Sequence, residues 1–392
     1  MLTTEEKLND MRAQLQNRKA RVMIIGLGSV GNYLLDYLMS MADQNLEICV
    51  VGRNEQKMLS DVNIVRVASM IRGQNRSNIR VIGNVNLENI SEIAHAMKAF
   101  EPDIIVNSSR AYPGLKYGSI SWPAIRAYGI WSPLAIHFAK NIMQAYEQAG
   151  SKAIVINTSY SDAVIPWLKT EGMAYPDFGS GNINHLIPRI KFAVAKQLGI
   201  KDICQIDLTF AVSHFHDVVI SKEGHTEHID MLLNVTYRGK IIDVDFDKIF
   251  KDCAIAMPAD AKRNQMNASS NFEIIQAILN VVRRRQKIKL HCPGVFGEIG
   301  GYPVILDGIG DCIKAYIYED IFSLDEMRKK NRESIYLDGI EDIKDGILFY
   351  TDELLVKVKE KFGVELVKQV PFENADQVEQ FIIREIIQKQ KW

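Results

Sequence analysis

Three glycines carry the first chemistry legible in this chain. Gly26, Gly28 and Gly31 stand at G-x-G-x-x-G spacing inside RVMIIGLGSVGNYLLDYL, Arg21–Leu38. An apolar run, Val22–Ile25, precedes them, and an amphipathic run, Asn32–Leu38, follows. Strand, tight turn and helix are the context in which this spacing has a function. Gly26 permits the turn, Gly28 lets backbone approach a pyrophosphate, and Gly31 lets helix pack on strand. With Ser29 and Val30 they complete a cradle whose free N–H groups and positive dipole end face phosphate. The plain alternative is a glycine-rich turn that holds no ligand.

Polar residues gather at the ends of the following apolar runs. Leu46–Val51 ends in Gly52-Arg53-Asn54. A dinucleotide fold for NAD carries an acidic residue here, for the ribose hydroxyls. This chain carries Arg53, whose charge and fork suit a 2′-phosphate, so NADP is expected, with NAD the other possibility. Asp103–Asn107 runs into Ser108-Ser109-Arg110, and Ala153–Asn157 into Thr158-Ser159. These tails place Asn107, Ser108 and Asn157 at the cofactor. Between them lies Arg110–Trp131, with two prolines, three glycines and several aromatics. A connection of this length is expected to act as a lid. Its Arg110, Lys116 and Arg126 make it cationic, which suits a small anionic substrate. Further on, Val212–Asp217 sets two histidines at a strand end.

Several elements must position these groups. Strands Leu46–Val51, Ile79–Ile82, Asp103–Asn107 and Ala153–Asn157, separated by helices, imply a doubly wound parallel sheet of the α/β class. Ligands of such a sheet sit beyond its C-terminal strand ends. From about Trp167 the pattern becomes α+β, with an expected helix at Leu186–Gln197, strands at Asp207–Val212 and Met231–Arg238, and a helix at Ser270–Arg285. The reading is a helical arm over 1–20, a Rossmann-type domain over 21–160 with its lid at about 110–131, a substrate domain over 161–350, and a helical extension over 351–392. The arm, Thr3–Arg18, carries a capping box, Thr3 with Glu6. It reads as a loose arm or a partner contact.

Composition sets limits. The 392 residues are 47% hydrophobic and 24% charged, with a formal net charge of −1. Near-neutral charge gives no reason to expect nucleic acid or an anionic membrane as partner. No apolar run approaches the roughly 20 residues that span a bilayer, and no signal peptide opens the chain. Five scattered cysteines without C-x-x-C suggest reduced thiols and a cytoplasmic setting. No metal site is expected.

The order of these segments resembles the lactate/malate dehydrogenase family, over roughly Arg21 to Leu348. RVMIIGLGSVG resembles the nucleotide turn, and SSRAYPGLK the arginine-rich substrate loop of the malate enzymes. INTS stands where the family has a strand-end asparagine near the nicotinamide. FGSGN followed by RIKFAVAKQLGI resembles the catalytic helix. VSHFHD falls at the catalytic histidine loop, NASSNFEIIQAI at the substrate-pocket helix, and GGYPVILDGIGDCIKAYIYEDIFSLDEM at the closing hairpin and final helix. The resemblance implies that Arg189 binds a substrate carboxylate and that His214 is the acid–base histidine, with His216 as runner-up. It implies Ser269 as a substrate contact and a homodimer or homotetramer.

The chain departs from the family at one telling place. One turn before the arginine the family has an aspartate that holds the histidine. Here the turn reads Asn184-His185-Leu186-Ile187-Pro188-Arg189, with no carboxylate. Asn184 or His185 is left to hydrogen-bond the histidine, or Asp217 or Asp177 to replace the aspartate. The expected function is hydride transfer between NADP and a carboxylate-bearing 2-oxo or 2-hydroxy compound other than lactate or malate. Two alternatives stand beside it. One is a non-catalytic NAD(P)-binding sensor or assembly protein. The other is a hydrolase similar to the family 4 glycosidases, which use NAD and a metal held by Cys and His.

Overall fold

The structure, a computed structural model, describes residues 2–258 and 260–390. Its first half alternates strand and helix: α1 (Thr4–Gln14), β1 (Ala20–Ile25), α2 (Ser29–Ser40), β2 (Leu46–Val51), α3 (Glu55–Ile71), β3 (Asn78–Ile82), α4 (Ile90–Phe100), β4 (Ile104–Asn107), α5 (Gly114–Ile120), α6 (Ser132–Ala149), β5 (Ile154–Asn157), α7 (Ser161–Thr170) and β6 (Phe178–Gly179). The six strands form one parallel sheet in the order β3-β2-β1-β4-β5-β6. This is the doubly wound order, with its switch point between β1 and β4. The strands are near-continuous apolar runs because both sheet faces are covered. Ile24, Val50, Val106 and Ile156 face one core, Met23, Cys49, Ile105 and Val155 the other.

The second half contains α8 (Ile183–Leu198), β7 (Ile206–Ala211), α9 (His214–Glu223), β8 (Leu232–Tyr237), β9 (Lys240–Ile241), α10 (Phe246–Asp252), α11 (Asn264–Arg284), β10 (Lys287–Pro293), β11 (Gly301–Asp307), β12 (Lys314–Ile317), α12 (Leu324–Leu337), β13 (Ile340–Lys344), β14 (Ile347–Tyr350), α13 (Asp352–Phe362), β15 (Gln369–Pro371) and α14 (Ala375–Ile382). Its strands form three antiparallel sheets of three strands each, β7-β8-β9, β10-β11-β12 and β13-β14-β15. The whole is α/β followed by α+β, as expected from the patterning.

Three local expectations change. The capping box at Thr3 and Glu6 is present, but α1 is no loose arm. Lys7 is fully buried and pairs with Asp177 at 2.8 Å, while Leu8 and Met11 enter the core. The extension over 351–392 is not helical alone, since β15 runs between α13 and α14 and pairs with β14. Its last helix packs on its own chain, burying Ile382, Ile386 and Ile387. The expected lid is folded into the body. It forms α5, a π turn over Ser121–Ile125 and a short turn over Gly129–Trp131, with Ile125, Ile130 and Trp131 buried. The Trp131 indole donates to Ser121 Oγ at 2.7 Å, which ties the segment's two halves together.

Candidate active site

The glycine turn is built by backbone crowding. Gly26 has φ +92°, which favours glycine, and a Cβ there would press on the Ser109 backbone at 3.0 Å. A Cβ on Gly31 would come within 2.3 Å of the Gly26 carbonyl oxygen, so helix and turn meet only through glycine. Gly28 is different, because a Cβ there would meet nothing within 4 Å. It caps α2 without any side-chain hydrogen bond, so the first N–H groups of the helix remain to be satisfied. Ser29 and Val30 follow in the first turn, and Ser29 Oγ accepts from Asn264 at 2.5 Å. The residues fit the cradle expected of them. Arg53 is exposed after β2 and lines a cavity of about 820 Å³ with Asn54, Glu55, Gln56, Leu59 and Asn84.

The strand-end residues are engaged with one another. Asn107 Nδ2 donates to Asn157 Oδ1 at 2.9 Å across β4 and β5. Asn107 Oδ1 accepts from Ser109, and Asn157 Nδ2 donates to Ser161 Oγ at 3.1 Å and to the Ser159 carbonyl. The Ser108 hydroxyl donates to the Gly26 carbonyl at 2.7 Å. These three side chains hold the strand ends and the turn in register. The sequence reading assigned them to the cofactor directly.

His214 opens α9, and four segments converge on it. Its Nδ1 donates to Asp338 Oδ2 at 2.8 Å. Asp338 is fully buried just past the end of α12. Its Oδ2 also accepts from the Tyr160 hydroxyl at 2.7 Å, and its Oδ1 from the Tyr128 backbone N–H at 2.7 Å. The Tyr128 and Tyr160 rings stand edge-on to the imidazole at 4.8 and 5.1 Å between centroids. Asp162 Oδ1 accepts from the His214 N–H at 3.1 Å. Asp162 Oδ2 accepts from the Asn182 side chain, and Asn182 is held at φ +50°, ψ −109°, outside the ordinary helical and strand regions.

Electrostatics follow from this packing. Burial disfavours the imidazolium of His214, but Asp338, with Asp162 and Asp217 adding to it, outweighs burial and raises the pKa. Burial pushes the Asp162 carboxyl up to about 6, against the pull of His214. His214 Nε2 makes no hydrogen bond among the described residues. An imidazole held through Nδ1 by a carboxylate is thereby oriented to exchange a proton at Nε2.

The carboxylate that holds His214 is Asp338, a residue that sequence reasoning missed. Asp177, one expected replacement, is committed to Lys7, to Thr4 and to the Val155 N–H. Asp217, the other, lies 3.7 Å from His185. Asn184 donates to Glu273 at 2.9 Å. Asp338 stands 124 residues beyond His214 in the chain. No local motif in the sequence marks it.

The other expected residues fall in different places. His216, two residues on, is wholly buried. Its Nδ1 meets Ser334 Oγ at 2.7 Å and its Nε2 the Thr226 carbonyl at 3.1 Å. The carbonyl requires Nε2–H, so Nδ1 accepts and the ring is neutral. Burial lowers its pKa to about 4. Both nitrogens are occupied, so the runner-up histidine is structural. Arg189 is buried, with Nη1 donating to the Cys253 carbonyl at 2.8 Å and Nη2 against Met257 Sδ at 3.1 Å. The 253–257 segment thus covers its fork. Around it, Arg189 Nε, His185 Nε2, Asp217 Oδ1 and Asn184 Oδ1 are buried without a hydrogen-bond partner.

Arg126 is not available to an anion. It pairs with Glu223 at 2.5 Å and with Glu227, and lies over the Trp122 ring at 5.0 Å. Arg110 is exposed, and Lys116 lies in α5. Ser269 points to solvent. Its neighbour Ser270 faces inward instead and accepts from the Gly181 N–H at 2.8 Å. Asn264, at the start of the same helix, reaches Ser29, so α11 links the glycine turn to the Gly181 segment.

The metal-dependent hydrolase alternative needs a metal at the Asn157 strand end. Among the described residues, groups of three possible ligands occur only at His137–Asp376–Glu379 and Glu223–His225–Glu227. Neither includes a residue of that strand end.

No protein-family model matches the chain, and no curated protein sequence does. Solved structures match its shape. The lactate dehydrogenase of Eimeria maxima with NADH and oxamate superposes with a TM-score of 0.54 at 14% identity, covering 81% of this chain and 93% of that one. The malate dehydrogenase of Picrophilus torridus gives 0.52 at 15% identity, over 82% and 96%. That of Aeropyrum pernix gives 0.50 at 16% identity, over 80% and 95%. Together with the 3-2-1-4-5-6 sheet and the α+β half, these matches show that the chain has the lactate/malate dehydrogenase fold.

Proposed function

We propose that the protein is a nicotinamide-dependent oxidoreductase acting on a carboxylate-bearing 2-oxo or 2-hydroxy compound, with NADP as its cofactor. The observation that carries this reading is His214, held by buried Asp338 beside the C-terminal end of β5, with Nε2 unengaged. The bound nicotinamide would supply or accept the hydride. His214 Nε2 would give a proton to the substrate oxygen in reduction and take it back in oxidation. Asp338 keeps the ring in the required tautomer and favours the imidazolium, while Tyr160 and the Tyr128 N–H fix the carboxylate. Gly26, Gly28 and Gly31 would hold the pyrophosphate and Arg53 the 2′-phosphate. Arg189 would take the substrate carboxylate through its fork once the 253–257 segment leaves it. A homodimer or homotetramer belongs to the same proposal.

The covered fork of Arg189 favours a second reading, a nucleotide-binding sensor without turnover. NADPH oxidation followed by absorbance across a panel of 2-oxo acids separates the two. Oxidation that falls about 10²–10⁴-fold in Asp338→Asn or His214→Asn supports the enzyme. NADPH binding without turnover on any acid overturns it and leaves the sensor.

A further inference from the structure

A second cluster of ionisable groups lies where the C-terminal segment meets the first half. His137, on α6, is buried, and Asp376 and Glu379, three residues apart on one side of α14, face it. Its Nδ1 stands 2.7 Å from Glu379 Oε2 and 3.1 Å from Asp376 Oδ1. Glu379 is only 1% exposed, and among the described residues its Oε2 has no partner but this ion pair with His137, which falls short of hydrogen-bond direction. A buried carboxylate oxygen carries a desolvation cost that positive charge relieves, whether from the His137 imidazolium or from a metal ion that displaces its proton.

The surroundings resemble the outer shell of a metal site. His137 Nε2 meets a further carboxylate, Glu88, at 2.9 Å, as a metal-bound histidine engages one through its other nitrogen. Asp376 Oδ2 is held by Lys140 at 2.5 Å. Burial disfavours the His137 imidazolium, but Glu379 and Glu88 outweigh it and raise the pKa to about 9, so three carboxylates face Lys140 and one imidazolium, and one negative charge is left over. Asp376 and Glu88 are about half exposed, which leaves a path from solvent.

We propose that His137, Asp376 and Glu379 bind a divalent cation of the zinc class, which staples the C-terminal segment to α6. One imidazole and two carboxylates suit such an ion, with water in the fourth position. Tetrahedral ligand bonds of about 2.1 Å set donor atoms about 3.4 Å apart, so Nδ1 would draw away by about 0.3 Å from Asp376 Oδ1 and about 0.7 Å from Glu379 Oε2, within side-chain adjustment. The other cluster, Glu223–His225–Glu227, does not compete. Both its carboxylates hold Arg126, and its histidine is exposed.

Equilibrium dialysis of the chelator-treated full chain against zinc chloride tests this, with cobalt(II) absorption as a second readout. One equivalent is expected. Affinity is expected to fall at least 100-fold in Glu379→Gln, about 10–100-fold in Glu88→Gln, and not at all in Glu223→Gln. Circular dichroism checks each fold, and half-exposed Asp376→Asn replaces Glu379→Gln if the latter misfolds. No stoichiometric uptake by the wild-type chain would show that a proton on His137 takes the cation's place, and would overturn the proposal. Uptake that Glu379→Gln leaves unchanged would overturn it equally. Neither result bears on the His214 cluster, which shares no residue with this one.

Discussion

The glycine turn and the histidine cluster lie at the same edge of the parallel sheet but are made in opposite ways. The turn draws its three glycines from six consecutive residues, and its shape follows from which Cβ atoms are absent. The cluster draws Tyr128, Tyr160, Asp162, His214 and Asp338 from four separate segments. Helix α12 shows the economy of the second arrangement. Ser334 and Asp338, one turn apart, meet His216 and His214 respectively. Burial keeps His216 neutral beside its hydroxyl partner, whereas the Asp338 carboxylate favours the charged form of His214 against burial. A local site is robust to changes elsewhere, whereas an assembled one depends on the whole fold being in place.

Substitutions can break this contrast. The largest effect is expected at His214→Asn, with NADPH oxidation falling about 10²–10⁴-fold while NADPH binding, followed by fluorescence, stays unchanged. Parallel loss of binding would mean that the two regions are not separable. Acid comes next, and it acts on the assembled half. Burial holds His216 at about 4 and His291 at about 3. Both lie below the unfolded value of roughly 6.5, so the unfolded chain binds more protons. Stability is therefore full above about pH 6.5 and falls as pH drops toward 4, by up to about 1.4 kcal/mol per unit for each group. Urea titrations across that window should show the fall, and His216→Gln should flatten it.

Gly31→Val tests the local half. Its side chain would enter the 2.3 Å approach to the Gly26 carbonyl, so a stability loss of about 1–3 kcal/mol is expected, with NADPH binding lost. Thermal unfolding with and without NADPH reads both. Arg53→Ala is the mildest. It should weaken NADPH roughly tenfold, as one charged hydrogen-bond partner is removed, and leave NADH unchanged. Equal weakening of both cofactors would place Arg53 away from the 2′-phosphate.

This contrast also sets what was legible from residues alone. The sheet could be read because β1, β2, β4 and β5 are continuous apolar runs between helical patterns, and the turn because glycine spacing is local. His214 could be located through the order of segments around it. Asp338 could not, since its role exists only after α12 has packed on α9 and the 128–129 backbone has docked on its carboxylate and carbonyl. The 110–131 segment was misread for a related reason. Its prolines and glycines signal a loop, but Trp131, Ile130 and Ile125 find a core that the segment itself does not announce.

Helix α1 has a consequence for the order of events during synthesis. Lys7 waits for Asp177, and Arg12 for the carbonyls of Val281, Gly308 and Gly310. Helix α1 thus has part of its binding surface made about 300 residues later. Until then Leu8 and Met11 lack the α11 and β10–β12 part of the core they enter. Helix α1 is therefore among the last pieces seated, and its docking ties the parallel sheet to the 281–313 segments.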